Sequence, residues 1–75
     1  MDRIHIAGLT DKENEVARYV QQGFNNVEIA AYLGKSMRMV TYHIKNIFRK
    51  LKLKNRIEIA IMITVIDKFI GMKNV

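Results

Sequence analysis

Four segments of the chain each follow a residue of a type that begins α-helices, and no proline interrupts any of them. Ser, Thr and Asn at an N-cap accept a hydrogen bond from an amide of the first helical turn, and a Glu three residues later can return one. The predicted N-caps are Thr10, Asn25, Ser36 and Asn55, and all but Ser36 are followed by that Glu. We therefore predict four helices, at about 11–22, 26–33, 37–52 and 56–70.

The segments after these caps supply helix ends and apolar faces. Gly23 and Gly34 follow the first two helices, where a left-handed backbone favours glycine. The third helix has one apolar stripe at helical spacing, formed by Val40, Ile44, Ile47, Phe48 and Leu51. Only Gly34, Lys35 and Ser36 separate the second helix from the third, a spacing typical of a helix-turn-helix. The predicted fold is all-α, a single four-helix helix-turn-helix domain over residues 1–75 with its core at about 8–70.

Positive charge is concentrated in one part of the chain. Residues 35–56 contain eight Lys and Arg and no Asp or Glu, whereas the whole chain has a net charge of only +6. A helix face that is merely solvated usually mixes charges of both signs, so an unmixed block favours an anionic partner. Most of this block lies on the third helix, the one that enters the major groove in a helix-turn-helix. Double-stranded DNA is therefore the expected partner.

Several classes of protein are excluded by composition. There is no Cys, and the two His lie far apart in the chain, so we expect no metal site. No carboxylate pair, nucleophile–base set or glycine-rich phosphate loop is present, so we expect neither an enzyme nor a cofactor. The most apolar stretch, 59–66, is too short to span a bilayer, which needs about 20 residues. We expect a cytoplasmic protein without membrane contact.

The order and spacing of motifs over about residues 8–70 resemble the LuxR/GerE-type DNA-binding domain. The matching residues are Leu9-Thr10-x-x-Glu13-x-Glu15-Val16, Gly23, Asn26-x-Glu28-Ile29-Ala30, Leu33, Ser36, Val40-x-x-His43-Ile44-x-Asn46-Ile47-x-x-Lys50-Leu51 and Arg56-x-x-x-Ala60. The resemblance implies transcription regulation and dimers that use helix 4 on two DNA half-sites, with helix 3 as the recognition helix. RNA polymerase is a further candidate partner.

The resemblance also implies where bases are read. In relatives the base-reading side chains lie at the positions matched here by Thr41, Tyr42 and Lys45. Lys45 keeps a basic residue and is predicted to read guanine O6 and N7. Thr41 stands where the family usually has Lys or Arg, and its methyl group can instead touch thymine methyl groups. Sequence preference is therefore expected to rest on fewer basic contacts than in typical relatives.

Phosphate contacts are assigned to six further polar residues of the basic block. These are Lys35, Ser36, Arg38, Arg49, Lys50 and Lys52. Ser36 is included because the first amides of the third helix are free to bind an anion. Arg56 we expect to form an ion pair with helix 1, with Glu15 as a candidate, and a DNA contact is the alternative. His43, at the edge of the buried stripe, is expected to pack or hydrogen-bond, and a phosphate contact is the alternative.

The fourth helix is apolar nearly all round, so one face can cover the core while another faces a partner. The predicted dimer interface consists of Ile59, Met62, Ile63, Ile66 and Ile70. A domain of a longer parent protein covering this row is one alternative. A membrane-surface helix is another, but the helix carries too few cations to favour it. The rival function is a protein–protein interaction module that uses helix 4 while the basic face is only solvated.

Overall fold

The structure is a computed structural model that describes the backbone of residues 6–73 and the side chains of residues 6–69. It contains four helices, α1 (Asp11–Gln21), α2 (Asn26–Leu33), α3 (Met37–Leu51) and α4 (Arg56–Lys73). Within residues 6–73 there is no strand, so the prediction of an all-α four-helix fold is confirmed. The predicted helix ends agree to within a residue or so, except that α4 continues beyond 70.

The predicted capping boxes form at the first two helices. Thr10 Oγ1 accepts from the amide of Glu13 at 3.1 Å, and Glu13 Oε1 accepts from the amide of Thr10 at 3.0 Å. Asn25 and Glu28 repeat the arrangement at α2, at 2.8 and 2.9 Å. Two amides that would lack partners at each helix start are thereby satisfied. These local bonds determine where the helices begin.

The other two helix starts use simpler caps. Ser36 Oγ accepts from the amide of Met39 at 3.1 Å, and Asn55 Oδ1 accepts from the amide of Glu58 at 3.0 Å. The carboxylate of Glu58 reaches back to the amide of Lys54 instead of that of the cap residue. At α4 the return bond therefore goes to the residue before the cap, and both helices still begin where predicted.

Buried side chains from all four helices and the segment before α1 form one core. They are Ile6, Leu9, Val16, Ala17, Val20, Ile29, Ala30, Val40, Ile44, Ile47, Ile59 and Ile63. Helix α1 lies at the centre and packs against α3 and α4, while α2 packs mainly on α3. The apolar stripe of α3 faces inward, as predicted, because burying it removes a continuous apolar surface from water. The opposite side of α3 is exposed to solvent.

The predicted dimer row on α4 is wrong for two of its members. Ile59 is 0% exposed and Ile63 2% exposed, since both point into the domain's own core against α1. Met62 and Ile66 also pack against that core and are only partly buried. The apolar row that remains exposed is Ile57, Ile61, Val65 and Phe69, which we call the outer row of α4. Ile70 belongs to α4, but its side chain lies outside the described residues.

Two polar contacts explain which face of α4 turns inward. Arg18 of α1 donates to Asp67 of α4 at 2.7 Å, and Gln21 donates to Thr64 at 3.3 Å. Because a helix apolar on nearly every side can dock in more than one rotation, hydropathy alone leaves the choice open. These contacts join α1 to one side of α4, and the outer row is left on the exposed side.

Candidate nucleic-acid interface

A three-residue turn sets the direction of α3. Gly34 ends α2 with a left-handed backbone, φ 64° and ψ 35°, which glycine adopts without steric cost. The amide of Lys35 then donates to the carbonyl of Ala30 at 3.0 Å. Ser36 is extended and caps α3. The chain therefore passes from α2 into α3 within the short turn that the sequence predicts.

The outward side of α3 carries the residues predicted to meet DNA. Arg38, Thr41, Tyr42, Lys45 and Arg49 are all exposed, and they fall on one face at helical spacing. Lys35 and Ser36 lie exposed at its N-terminal end, and Lys52 lies exposed at its C-terminal end. One continuous surface, about the length of α3, brings all these residues together.

The surface formed by the outward side of α3 carries almost no negative charge. Among ion pairs between described residues, none involves Lys35, Arg38, Lys45, Arg49 or Lys52. Arg49 donates to the neutral amide oxygen of Asn46 at 3.1 Å. Cations kept together without a compensating carboxylate repel each other, and they attract an extended anion such as a phosphate backbone.

Lys50 is the exception among the predicted phosphate contacts, because its ammonium is paired within the domain. Its ammonium lies 2.7 Å from Oε1 of Glu13, a carboxylate on α1 that is 3% exposed as a residue. The same oxygen accepts from the amide of Thr10. Burial acts to raise the pKa of Glu13, but the hydrogen bond from Lys50, the Thr10 amide and nearby positive charge outweigh it and lower that pKa. Lys50 therefore anchors α3 to α1.

His43 lies half-buried between the inner stripe and the outward face of α3. Its Nδ1 is buried and has no hydrogen-bond partner among the described residues. The ring centroid is 5.7 Å from that of Tyr42, at a tilt of 60°. This position agrees with the packing role expected from the sequence.

Arg56 has a structural role, as expected, but the predicted partner is wrong. Its guanidinium donates to Asn26 Oδ1 at 2.6 Å and to the carbonyl of Phe24 at 2.8 Å. Both partners are neutral and lie at the start of α2, while Glu15 pairs with Lys12 at 3.5 Å. The fork of the guanidinium suits two oxygens at once. Arg56 thereby joins the first residue of α4 to α2.

The described part of the chain has neither a membrane-spanning helix nor a cluster of metal ligands. No helix in it combines the length and apolar character that a membrane crossing requires. Nor does it bring together three or more His, Cys, Asp or Glu side chains as a metal site would need.

The chain is similar in sequence to known regulatory proteins. The sequence pattern of the family described as "Bacterial regulatory proteins, luxR family" (GerE) matches residues 7–63. A probable transcriptional regulator of Guillardia theta is 43% identical over 51 residues, which are 68% of this chain and 24% of that protein. The nitrate/nitrite response regulator protein NarP of Escherichia coli is 37% identical over 54 residues, 72% of this chain and 25% of that protein.

The length of these relatives differs from that of the chain. A probable transcriptional regulatory protein of Hyphomicrobium methylovorum, SgaR, is 39% identical over 51 residues, 68% of this chain and 24% of that protein. The chain thus spans about a quarter of the length of the curated relatives it matches. No solved structure gives a significant match. The family match covers well over half of the chain, and the domain it describes binds DNA in the regulation of transcription. This chain belongs to the luxR family of bacterial regulatory proteins.

Proposed function

We propose that this chain recognises specific sequences in double-stranded DNA by placing α3 in the major groove. The observation that carries the proposal is the outward face of α3. Exposed cations lie there beside an exposed threonine and an exposed tyrosine, and none of these cations forms an ion pair with a described carboxylate. A helix of this kind fits the major groove, where the side chains on its outward face can reach base edges.

The proposed contacts divide into two kinds. Thr41, Tyr42 and Lys45 meet base edges, and Lys45 reads guanine. Lys35, Ser36, Arg38, Arg49 and Lys52 meet phosphates, which set affinity and register. The oxygen of Ser36 already accepts from Met39, so its hydroxyl hydrogen remains to donate to a phosphate. The free amides of the first turn of α3 add to this anion-binding end.

The proposal includes a homodimer through α4, with the interface moved to the outer row. Small proteins rarely leave a row of large apolar side chains in water, and Ile57, Ile61, Val65 and Phe69 form such a row at i, i+4, i+8 and i+12. An isologous pairing of two copies would cover the row and place two copies of α3 on two half-sites. RNA polymerase is the proposed partner of the DNA-bound dimer, and a cytoplasmic location, where a bacterial chromosome lies, is part of the proposal.

The test is selection of bound sequences from random duplex DNA, followed by titration of the enriched duplex at two salt concentrations. We expect an enriched two-part site whose affinity falls steeply with salt. Lys45→Ala should cost about 1–3 kcal/mol and relax the preference at one position, while Arg49→Ala should mainly reduce the salt slope, by about 1. Lys12→Ala removes the same charge from an exposed site on α1 and serves as the matched control.

Two results would contradict the proposal. Weak binding that ignores sequence and disappears at modest salt would favour the protein–protein interaction module. Equal losses from Lys45→Ala, Arg49→Ala and Lys12→Ala would mean that only net charge matters and that the α3 face is not the binding surface.

A further inference from the structure

The outward face of α3 combines one central cation with apolar groups. Thr41 and Lys45 lie one helical turn apart, and Met37 lies one turn before Thr41 on the same row. Met37 is 48% exposed and Tyr42 57% exposed, so neither side chain belongs to the core. A surface built only to meet phosphates would have no use for exposed apolar side chains beside its cations.

The chemistry of the major groove limits what these groups can meet. Each base pair displays hydrogen-bond donors and acceptors in the major groove. The apolar group exposed there is the C5 methyl of thymine. Thr41 has a methyl group and a hydroxyl on an exposed β-branched side chain, which keeps few rotamers in a helix. Fixing this methyl group against a base therefore costs less side-chain conformational entropy than fixing a long side chain would.

We infer that Thr41 is a specificity-determining residue that reads thymine through its methyl group. The Cγ2 methyl packs against the C5 methyl of a thymine beside the guanine that Lys45 reads, and the exposed apolar side chains of Met37 and Tyr42 flank the contact. Each half-site then contains one thymine beside that guanine, with its C5 methyl group facing α3. This inference rests on the proposed function, because it requires α3 in the major groove.

The experiment removes one methyl group at a time from DNA and from protein. Each thymine of the duplex enriched from random DNA is replaced in turn by deoxyuridine, which lacks only the C5 methyl. Dissociation constants are measured by fluorescence anisotropy of the labelled duplex. For the wild-type chain we expect binding about fourfold weaker at one thymine in each half-site, the effect of one buried methyl group.

Two variants of one side chain separate the methyl group from the hydroxyl. Thr41→Val keeps the methyl and should keep the fourfold preference for thymine over uracil. Thr41→Ser keeps the hydroxyl and should bind both duplexes equally. Residue 41 is exposed, so neither change disturbs the core, and circular dichroism checks that both variants fold.

The outcomes separate this inference from the proposed function. Equal affinity of the wild-type chain for thymine and uracil at every position overturns the inference and leaves sequence-specific binding standing. A Thr41→Ser variant that keeps the fourfold preference also overturns it, because another residue then reads the methyl. Failure to enrich any sequence overturns the proposed function and the inference together.

Discussion

The ammonium of Lys50 on α3 lies 2.7 Å from Oε1 of Glu13, the residue whose carboxylate also completes the cap of α1. One buried carboxylate thus serves both a local and a tertiary contact. Removing Lys50 would leave the buried carboxylate of Glu13 charged, with the amide of Thr10 as its remaining partner. This pair therefore adds a polar link between α1 and α3 to the apolar contacts that hold α3 on the core.

Lys50→Ala should destabilise the fold by about 3 kcal/mol, because Glu13 would be left buried and charged. Urea denaturation measures the change, and Lys54→Ala, at an exposed position in the connection before α4, is the control. Below the unfolding transition the salt slope of DNA binding should be the same as for the wild-type chain. A slope reduced by about one would instead restore Lys50 as a phosphate contact.

Stability should fall in acid through Glu13. Its pKa is lowered in the folded state from an ordinary value of 4.5, so the contribution is present above about pH 4.5 and is lost as the pH falls towards the folded pKa. Glu13→Gln should flatten the dependence of unfolding free energy on pH in that window. Wild-type and Glu13→Gln curves of equal slope would contradict the expectation.

The two faces of α4 should respond differently to the same substitution. Ile59→Ala should cost about 2–5 kcal/mol, since Ile59 is fully buried in the core. Ile61→Ala should cost little in the monomer, because Ile61 is 56% exposed. Ile61→Glu should leave a folded chain that sedimentation shows to be monomeric, while Ala31→Glu on an exposed site of α2 should leave the oligomeric state unchanged. A dimer that survives Ile61→Glu would exclude the outer row as its interface.

Lys52 ends α3 with a left-handed backbone, φ 57° and ψ 41°, a conformation that disfavours side chains with a Cβ. Lys52→Gly should therefore stabilise the fold by about 0.5–1 kcal/mol, seen as a higher Tm. If Lys52 meets a phosphate, the same change should weaken DNA binding. Lys54→Gly removes an equal charge where no positive φ favours glycine, so it should give no gain in Tm. A lower Tm for Lys52→Gly than for the wild-type chain would contradict the expected stabilisation.

Arg56→Lys should destabilise the domain by about 1–2 kcal/mol although it preserves the charge. A single ammonium cannot reproduce the planar fork that holds Asn26 Oδ1 and the Phe24 carbonyl together. Asn26→Ala should cause a smaller loss, and combining the two changes should cost less than their sum, since they share one contact. Strictly additive losses would show that the two residues act independently.

Sequence reasoning predicted the parts of this fold that rest on local chemistry. Thr10, Asn25, Ser36 and Asn55 cap helices through bonds within one turn, so their spacing in the chain is enough to locate them. The inward stripe of α3 was equally readable, because polar residues occupy its other side. The outward residues of the proposed DNA face follow from the same periodicity.

The parts that depend on tertiary placement could not be predicted in the same way. Lys50 resembles its basic neighbours, and nothing in its local sequence indicates a carboxylate 37 positions earlier. The rotation of α4 was predicted wrongly because apolar residues occupy nearly every side of that helix. Asp67 offered a signal, since a carboxylate needs a partner such as Arg18 and so indicates the side that faces α1.

The bonds from Arg56 to α2 have a consequence for the phasing of DNA sites. They hold the first residue of α4 against the start of α2, the helix that precedes α3, and so link the outer row to the α3 face. In a dimer built on the outer row, the distance between two copies of α3 would then be set by the protein. One inserted base pair turns a half-site by roughly 35° around the duplex, which a rigid dimer cannot follow. Helical phase would then restrict which pairs of half-sites the protein can occupy.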